Sequence, residues 1–288
     1  MNKYRSPVTL SLACRYILME KEEMMIIVGE KINSTRKSIA EAIAAGNREH
    51  IQNEAKAQSE AGADYIDVNA AAFMEKEAEC LKWVIEAVQE VTETPLCLDS
   101  PDPAVIKKVI PLVKKPPMIN SITLEPSRME TILPLVLDYH ATVIGLCQTK
   151  EKMGKTVNEK VEIAGRLVEK ITASGISIDS LYIDPLVFPV GTDTNSVSAT
   201  LDAIEIIMKQ FNGVHTICGL TNVSHGLPLR KLINRTLLAE AIARGLDAAI
   251  LDPTDRQLIS VMRAALMLMG KDEFCTEYIK AFRKGLIE

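Results

Sequence analysis

Eight short apolar runs punctuate this chain of 288 residues, and each is followed by a longer segment with a different periodicity. In those longer segments apolar residues recur every three or four positions, as on the buried face of an amphipathic helix. A strand followed by a helix, repeated eight times, closes most simply into a (β/α)8 barrel. The pattern therefore predicts a single TIM barrel of the α/β class. The eight runs cover residues 25–33, 65–69, 95–100, 118–123, 142–148, 181–189, 216–224 and 248–253.

The segments between the runs carry signals for the start and the end of helices. Asp102 precedes Pro103, and this pair suits an N-cap followed by the first helical position. Gly62, Gly175 and Gly245 each stand between a helical segment and the next apolar run, where a glycine C-cap is expected. Helices are predicted over residues 38–45, 48–61, 75–91, 126–139, 156–174, 195–210, 229–243, 255–269 and 272–284, with a further one beginning at Asp102-Pro103.

Nearly every apolar run ends in a carboxylate or a carboxamide. Barrels of this class place their functional groups at the carboxyl ends of the strands. One aspartate before a proline, such as Asp184, is more often a turn former, but several such residues at strand ends favour a binding site. The ring contains almost no Lys, Arg, His or Cys, so we expect a neutral, donor-rich ligand rather than a phosphate or a metal. Its members are Glu30, Asn33, Asp67, Asn69, Asp99, Asn120, Gln148, Asp184, Asn222 and Asp252.

Composition narrows the function classes further. The net charge of −5 and the aromatic content of 4% argue against nucleic acid, which requires basic surfaces and stacking platforms. The sequence has no apolar run of membrane-spanning length. The cysteines form no C-x-x-C pair and the histidines are dispersed, so neither a disulfide framework nor a bound metal is expected. Cys97, Cys147 and Cys218 lie inside apolar runs and are interpreted as buried hydrophobic residues. A cytoplasmic protein is expected.

The first 24 residues differ in character from the rest of the chain. They combine early cations with a short apolar stretch at residues 8–14 that is a poor signal sequence, and a lipoprotein signal is the disfavoured alternative. We expect residues 1–24 to be a dispensable or disordered N-terminal extension, and residues 25–288 to form one barrel domain.

Eight short motifs, taken together and in order, give the chain a family resemblance from Met25 to the C-terminus. It resembles the pterin-binding methyltransferases, and most of all the methyltetrahydrofolate:corrinoid protein methyltransferases. Those enzymes share a dihydropteroate-synthase-like barrel with the folate domain of cobalamin-dependent methionine synthase. The motifs are I-V-G-E-K-I-N at 27–33, D-V-N at 67–69, L-C-L-D-S at 96–100, M-I-N-S at 118–121, L-Y-I-D-P-L at 181–186, G-L-T-N-V-S at 219–224, L-I-N-R-T at 232–236 and G-L-D-A-A-I at 245–250.

The resemblance implies a role for several residues of the ring. Asp184 matches the carboxylate that accepts a forked pair of hydrogen bonds from the pterin N3–H and 2-amino groups. Asp99 matches a second pterin-binding carboxylate, and Asn120 matches an amide that pairs with the ring. Asn222 matches the catalytic asparagine that reaches N5, where position and polarity rather than a tuned pKa assist methyl transfer.

Other residues near these motifs receive less definite roles. Gly219 would let the pterin approach the backbone, and Ser224 and Asn33 would support the amide network. His225 either contacts the corrinoid or the folate tail, or is a solvent-facing loop residue. Glu30 and Asp67 could equally be structural groups of the barrel interior, and Gln148 lines the rim without an assigned role. The supporting set is therefore Glu30, Asn33, Asp67, Asn69, Gln148 and His225.

The implied activity moves a methyl group between N5 of (methyl)tetrahydrofolate and the cobalt of a corrinoid. The chain has no D-x-H-x-x-G segment of the kind cobalamin-binding domains use, so the corrinoid should arrive on a separate protein. The resemblance also implies a homodimer, and it leaves the direction of transfer open.

Two other functions stay open at the level of sequence. Dihydropteroate synthase shares the fold and the pterin pocket, but it binds a pyrophosphate with a Ser-Arg pair after a late strand. Here the motif ending at Ser224 is followed by no arginine until Arg230. A non-catalytic folate-binding subunit of a corrinoid complex is the second alternative, and the presence of Asp99, Asn120, Asp184 and Asn222 argues against it.

Overall fold

Eight parallel strands close into a barrel in the computed structural model, which describes residues 25–288. Each strand pairs with its neighbour in the chain, and β8 closes the barrel by pairing with β1. The predicted (β/α)8 architecture is confirmed, while the expected extension over residues 1–24 lies outside the described residues. The strands are β1 (Ile26–Asn33), β2 (Tyr65–Asn69), β3 (Leu96–Asp99), β4 (Met118–Ile122), β5 (Thr142–Leu146), β6 (Leu181–Asp184), β7 (His215–Gly219) and β8 (Ala248–Leu251).

Helices connect successive strands and cover the outside of the barrel. Each buries an apolar stripe against the sheet, as parallel sheets require on their outer face. The α-helices of the described part are α1 (Lys37–Ala44), α2 (Arg48–Glu60), α3 (Glu77–Gln89), α4 (Pro103–Val109), α5 (Pro126–Asp138), α6 (Val157–Ala173), α7 (Ser196–Gln210), α8 (Arg230–Ala243), α9 (Arg256–Leu268) and α10 (Thr276–Arg283).

Local capping chemistry explains most helix boundaries. The Asp102 carboxylate accepts a hydrogen bond from the backbone N–H of Ala104 at 2.8 Å, so the predicted cap is confirmed. Gly62, Gly175 and Gly245 have φ values of +91°, +88° and +103°, the left-handed conformation that ends a helix at little steric cost.

The predicted boundary of the last helix is wrong. The helix begins at Thr276 rather than at residue 272, after a 3-10 turn at Glu273–Cys275. Phe274 and Cys275 have positive φ values there, so the backbone breaks before α10. The Asp272 carboxylate accepts hydrogen bonds from the N–H groups of Glu277 and Tyr278 and so caps the helix from outside it.

The interior of the barrel is filled by one inward-facing residue or pair from each strand. Cys97, Met118, Ile144, Tyr182 and Ile217 belong to this cluster and are all buried. Filled layers of this kind make the barrel a packed core rather than a pore. Cys147 and Cys218 are also fully buried, so the interpretation of the three strand cysteines as core residues is confirmed.

Candidate active site

Alternation along the strands directs the predicted polar ring into the barrel. Side chains two positions apart in a strand lie on the same face of the sheet. Asp99 stands two positions after Cys97 and Asp184 two after Tyr182, and both earlier residues belong to the interior cluster. The same spacing applies to Glu30, Asp67, Asn69, Asn120 and Gly219, whereas Gln148 and Asp252 follow just beyond their strands. Carboxyl and amide groups at the carboxyl ends of the strands therefore face the interior of the barrel.

Three of these residues stand side by side on β2, β3 and β4. The register pairs Asn69 with Asp99 and Asp99 with Asn120, so the three lie at one level of the barrel. Asn69 Nδ2 donates a hydrogen bond to Asp99 Oδ2 at 3.0 Å. Ser34 Oγ donates to Asn69 Oδ1 at 3.0 Å and thereby fixes which way the amide faces. Asp99 is thus oriented from one side, next to Asn120.

Burial controls the protonation of Asp99 and of Asp67 beneath it. Desolvation raises the pKa of Asp99 from 3.8 to about 6, against the hydrogen bond from Asn69. Desolvation also raises the pKa of Asp67 well above its usual value, and the nearby charge of Asp99 raises it further. Asp67 Oδ1 has no hydrogen-bond partner among the described residues. The two carboxyl groups therefore resist simultaneous ionisation.

Asp184 ends β6 and is the most deeply placed of the predicted pterin ligands. Its Oδ1 accepts a hydrogen bond from the backbone N–H of Leu186 at 2.7 Å. Desolvation raises the pKa of Asp184 from 3.8 to about 6, while this hydrogen bond and the charge of Lys160 oppose the increase. A carboxylate that gives up water in this way gains from forked donors on a ligand, because such donors replace the lost hydration.

A cavity of about 530 Å³ lies at the mouth of the barrel, between the loops that follow β1, β7 and β8. Asn222, His225, Asp252 and Glu30 line it, together with Arg36, Arg230 and Lys231. The mouth therefore has cations on this side, although none of them belongs to the ring of strand-end residues. These cations stand on the loops and helices beyond the strands, so a pattern sought at the strand ends does not include them.

The loop after β7 carries Asn222 in a 3-10 turn, Leu220–Asn222, with the residue exposed to the cavity. A Cβ atom at Gly219 would stand 3.3 Å from Asn222 Nδ2, so the glycine leaves room for the amide. Ser224 is fully buried; its hydroxyl donates to Asn234 Oδ1 at 2.7 Å and accepts from Arg230 Nε at 3.1 Å. Ser224 thus ties the loop to α8 from below.

The contact between Ser224 and Arg230 bears on dihydropteroate synthase as an alternative. Arg230 also donates through Nη2 to the carbonyl of Thr221 at 2.8 Å, so its guanidinium lies at the cavity despite its distance along the chain. The sequence lacks such a pair at close spacing, but the folded chain forms one between Ser224 and Arg230.

Glu30 and Asn33 are held by hydrogen bonds, Glu30 to two loops and Asn33 within its own turn. Glu30 accepts hydrogen bonds from Arg36 Nη2 at 2.6 Å and from Thr221 Oγ1 at 3.1 Å, which links the loops after β1 and β7. Desolvation raises the pKa of Glu30 in spite of Arg36. Asn33 Oδ1 accepts from the N–H and the hydroxyl of Thr35, so this amide shapes its own turn.

Beyond the strand ends, Asp252 accepts two hydrogen bonds from Thr254, at 2.9 Å from the N–H and 2.6 Å from the hydroxyl. Gln148 is half-buried and forms a backbone bridge with Met153. His225 is exposed at the cavity, and its backbone N–H donates to the carbonyl of Asn222 at 3.2 Å.

Two buried cations behind the site were missed by the sequence reasoning. Lys160 on α6 is fully buried, and its Nζ donates to the carbonyls of Pro185 and Leu186, just after β6. Arg128 on α5 is also buried, and it donates to the backbone after β3 and within β4. Its guanidinium binds the carbonyls of Ser100, Pro101 and Ser121.

A signal for both cations was present in the sequence. Lys160 occupies the apolar stripe of α6 with Ile163, Leu167 and Ile171, and Arg128 occupies that of α5 in the same way. A charged residue on the buried stripe of a helix, close to its N-terminus, requires a partner at the barrel mouth.

Two features are absent from residues 25–288. No group of three or more His, Cys, Asp or Glu side chains there is arranged to hold a metal ion. In the same part of the chain, no helix combines the length and the apolar character needed to cross a membrane.

Comparisons with known proteins agree with this geometry. Residues 29–252 match the family of pterin binding enzymes. The chain is 40% identical over 265 residues to the methylcorrinoid:tetrahydrofolate methyltransferase of Eubacterium limosum, covering 91% of this chain and 98% of that protein. It is 29% identical over 243 residues to methionine synthase of Mycobacterium tuberculosis, where the match covers 80% of this chain but only 20% of the much longer enzyme.

Solved structures support the fold. Dihydropteroate synthase from Xanthomonas albilineans, in complex with 7,8-dihydropteroate, superimposes with a TM-score of 0.63. The match covers 88% of this chain and 95% of that one, at 20% sequence identity. The resemblance found in the sequence motifs is confirmed, and the chain belongs to the family of pterin-binding enzymes, as a relative of the methylcorrinoid:tetrahydrofolate methyltransferases.

Proposed function

We propose that this protein transfers a methyl group from a methylated corrinoid protein to N5 of tetrahydrofolate. The observation that carries the proposal is the match to the Eubacterium limosum methyltransferase, which extends over nearly the whole of both chains at 40% identity. The direction follows the name of that relative, in which methylcorrinoid is the donor and tetrahydrofolate the acceptor. The fold similarity to dihydropteroate synthase, at 20% identity, supports only the barrel.

The proposed reaction is a displacement at the methyl carbon. The lone pair of N5 attacks the methyl group, the cobalt–carbon bond breaks, and its electron pair stays on the metal, which becomes Co(I). N5 acquires positive charge as the new bond forms and then loses its proton to solvent. Groups that hydrogen-bond N5 more strongly in the transition state than in the ground state accelerate the step in either direction.

The pterin would be held by Asp184, Asp99 and Asn120. A carboxylate accepts the adjacent N3–H and 2-amino donors in a fork, and the buried position of Asp184 strengthens that pair. The amide of Asn120 offers both a donor and an acceptor to the rest of the ring. A neutral, donor-rich heterocycle thus suits this side of the mouth.

Asn222 would assist the transfer at N5. It stands on the loop after β7, exposed to the cavity, and Gly219 leaves space for its amide. The amide oxygen accepts a hydrogen bond from N5–H when N5 becomes cationic, and the amide nitrogen can donate a hydrogen bond to N5 in the reverse reaction. An amide does not titrate near neutral pH, so solvent carries the proton away.

The cavity between the loops after β1, β7 and β8 would receive the corrinoid protein. It is open to solvent and has cations of its own, including Arg36, Arg230 and Lys231, which suit the amides and phosphate of a corrinoid. Phosphate groups bind well to arginine, so we propose this side as the approach of the partner.

Further proposals concern organisation. We propose that residues 25–288 suffice for activity, that the protein is cytoplasmic, and that it forms a homodimer. The described cysteines are all free, as in a reducing compartment. Exposed apolar side chains near the C-terminus, including Leu268, Phe274 and Phe282, favour contact with a second chain.

The test is a methyl-transfer assay with methylated corrinoid protein and tetrahydrofolate. We expect Co(I) to appear in the visible spectrum and methyltetrahydrofolate to accumulate in equal amount. Asp184→Asn should lose both signals, whereas Asp138→Asn, at the exposed end of α5, should retain them. Tetrahydrofolate binding without any transfer would instead support the folate-binding subunit.

A parallel incubation with a dihydropterin pyrophosphate and 4-aminobenzoate tests the other enzyme of this fold. The contact between Ser224 and Arg230 is the specific observation that makes this arm necessary. Formation of dihydropteroate, with no methyl transfer, would replace the proposal by dihydropteroate synthase.

A further inference from the structure

Lys160 is the largest fully buried side chain of the described part of the chain. Its ammonium group lies behind the loop that follows β6, where Nζ donates to the carbonyls of Pro185 and Leu186, the latter at 2.8 Å. The ring of Phe188 lies under the same group, with its centroid 5.0 Å from Nζ. A buried ammonium requires compensation of this kind, and these backbone contacts place it directly beside the loop of Asp184.

The contact with Pro185 connects Lys160 to Asp184, the carboxylate proposed to bind the pterin, through one peptide group. The carbonyl of Pro185 and the N–H of Leu186 belong to the same planar unit and point in opposite directions. Lys160 binds that carbonyl, and the N–H donates to Asp184 Oδ1 at 2.7 Å. The ammonium therefore fixes the plane of the peptide and strengthens its N–H as a donor, because hydrogen bonds in a chain polarise each other.

Leu186 needs such support, because its φ of +63° lies in the left-handed region that side chains other than glycine rarely adopt. Its carbonyl accepts hydrogen bonds from Lys160 Nζ at 2.8 Å and from Thr200 Oγ1 at 3.1 Å. Two helices, α6 and α7, thus hold one residue in a conformation it would otherwise leave. The consequence for the site is that one of the two lone pairs of Asp184 Oδ1 is used within the protein.

The second oxygen of Asp184 remains for a ligand. No described residue donates a hydrogen bond to Oδ2, and the carboxylate ends the inward-facing series of β6. We propose that Lys160 is a positioning residue for the pterin, which acts by locking the Pro185–Leu186 peptide onto Asp184 Oδ1 so that the carboxylate presents Oδ2 and the remaining lone pair of Oδ1 to the ligand. This inference rests on the proposed function, in which Asp184 binds the pterin.

The charge of Lys160 adds an electrostatic effect to the geometric one. It lowers the pKa of Asp184 against the stronger effect of burial. The other ionisable groups that interact with this pair are Cys147 and Cys218, which burial keeps as neutral thiols, and Asp193 and Glu159, which interact with Lys160. Lys160 thus acts with the hydrogen bond from Leu186 against the rise in the pKa of Asp184 that burial causes.

The experiment measures the affinity for tetrahydrofolate by calorimetry between pH 6 and 8.5 in Lys160→Met and in the parent protein. Without the ammonium the pKa of Asp184 rises, so affinity is lost at a higher pH than in the parent. We expect the dissociation constant of the variant to exceed that of the parent by about threefold at pH 6.5, because a rise of one unit above a pKa of about 6 lowers the ionised fraction of Asp184 from about 0.76 to about 0.24. The ratio should be smaller at pH 8.5.

Two control variants separate positioning from general damage. Lys170→Met makes the same change on the exposed side of α6 and should bind like the parent at every pH. Thr200→Val removes one hydrogen bond to the Leu186 carbonyl without a change of charge, so it should weaken binding by a factor that does not vary with pH. If Lys160→Met does not fold, Lys160→Gln carries the same test, with a donor retained and the charge removed.

The possible results are distinct. Parent-like affinity and pH dependence in a folded Lys160 variant, together with loss of binding in Asp184→Asn, would overturn the positioning role and leave the proposed function intact. A loss of affinity equal at all pH values, if Thr200→Val shows it too and Lys170→Met does not, would support the locking of the peptide and overturn the electrostatic effect. Failure of the parent to bind tetrahydrofolate would overturn the proposed function and the inference together.

Discussion

Replacing Asp184 by asparagine should stabilise the protein at neutral pH while it abolishes tetrahydrofolate binding. The carboxylate is buried, and desolvation raises its pKa from 3.8 to about 6. Below pH 3.8 the group is protonated in both the folded and the unfolded state and has no effect on the difference. As the pH rises towards 6, the unfolded chain loses this proton first, so the folded state becomes progressively less stable. Above pH 6 the penalty is complete and constant.

The size of the effect follows from the two pKa values. The difference between 3.8 and about 6 corresponds to about 3 kcal/mol of folding free energy at pH 7.5. Asparagine removes this penalty and still offers Oδ1 to the N–H of Leu186, although a neutral acceptor forms a weaker bond than a charged one. We therefore expect a net gain of about 1 to 3 kcal/mol at pH 7.5 and about half as much at pH 5.

Urea denaturation of the parent and of Asp184→Asn at the two pH values measures this gain. Asp138→Asn, exposed at the end of α5, is the matched control and should leave the free energy of unfolding unchanged. A loss of stability in Asp184→Asn at pH 7.5 would refute the reasoning, because it would mean that the folded protein stabilises the carboxylate rather than penalising it. Retained binding of tetrahydrofolate would refute the role of the charge in the site.

Three further substitutions test the rest of the site. Asn222→Ala should lower kcat for methyl transfer by about a hundredfold with little change in tetrahydrofolate affinity, measured by stopped-flow and calorimetry. Gly219→Ala places a Cβ atom 3.3 Å from Asn222 Nδ2 and should lower kcat by about tenfold in the same assay, because the amide is displaced. Arg128→Met leaves three backbone carbonyls without their donor and should lower the free energy of unfolding by about 3 kcal/mol in urea.

Each of these has its own contrary result. An unchanged kcat in Asn222→Ala would remove this residue from the chemistry. If Gly219→Ala weakened tetrahydrofolate affinity without changing kcat, the added Cβ atom would not act by displacing the Asn222 amide. For Arg128→Met, the exposed Arg166→Met on α6 is the control, and equal effects of the two would show that the contacts with the carbonyls contribute nothing.

The inward-facing ring could be predicted from the sequence because strand periodicity is strict. Once Cys97 and Tyr182 are assigned to the barrel interior, Asp99 and Asp184 must share their face. The closed barrel could be predicted because the strand–helix unit is repeated eight times. The helix starts at Asp102 and at residue 157 were predictable from capping chemistry, which depends only on neighbours in the chain.

What the sequence did not yield depends partly on local backbone geometry and partly on contacts between distant segments. Asn33 was expected to join the amide network, yet its oxygen is used by Thr35 two residues away. The cations at the cavity come from loops and helices whose approach is set by the closed barrel. The break before α10 needed two residues with positive φ, Phe274 and Cys275, that neither residue type favours.

The mouth of the barrel is divided between two arcs. The carboxylates and the amide that suit a pterin stand on β2, β3, β4 and β6, while the cavity with its cations belongs to the loops after β7, β8 and β1. Neither Asp99 nor Asp184 lines that cavity. Each strand of such a barrel supplies its own loop, so the two arcs can diverge separately in evolution. On the proposed function, a lineage could exchange one corrinoid protein for another by altering the second arc around Asn222, and a designer could retarget the enzyme in the same way, with the proposed pterin ligands of the first arc inherited unchanged.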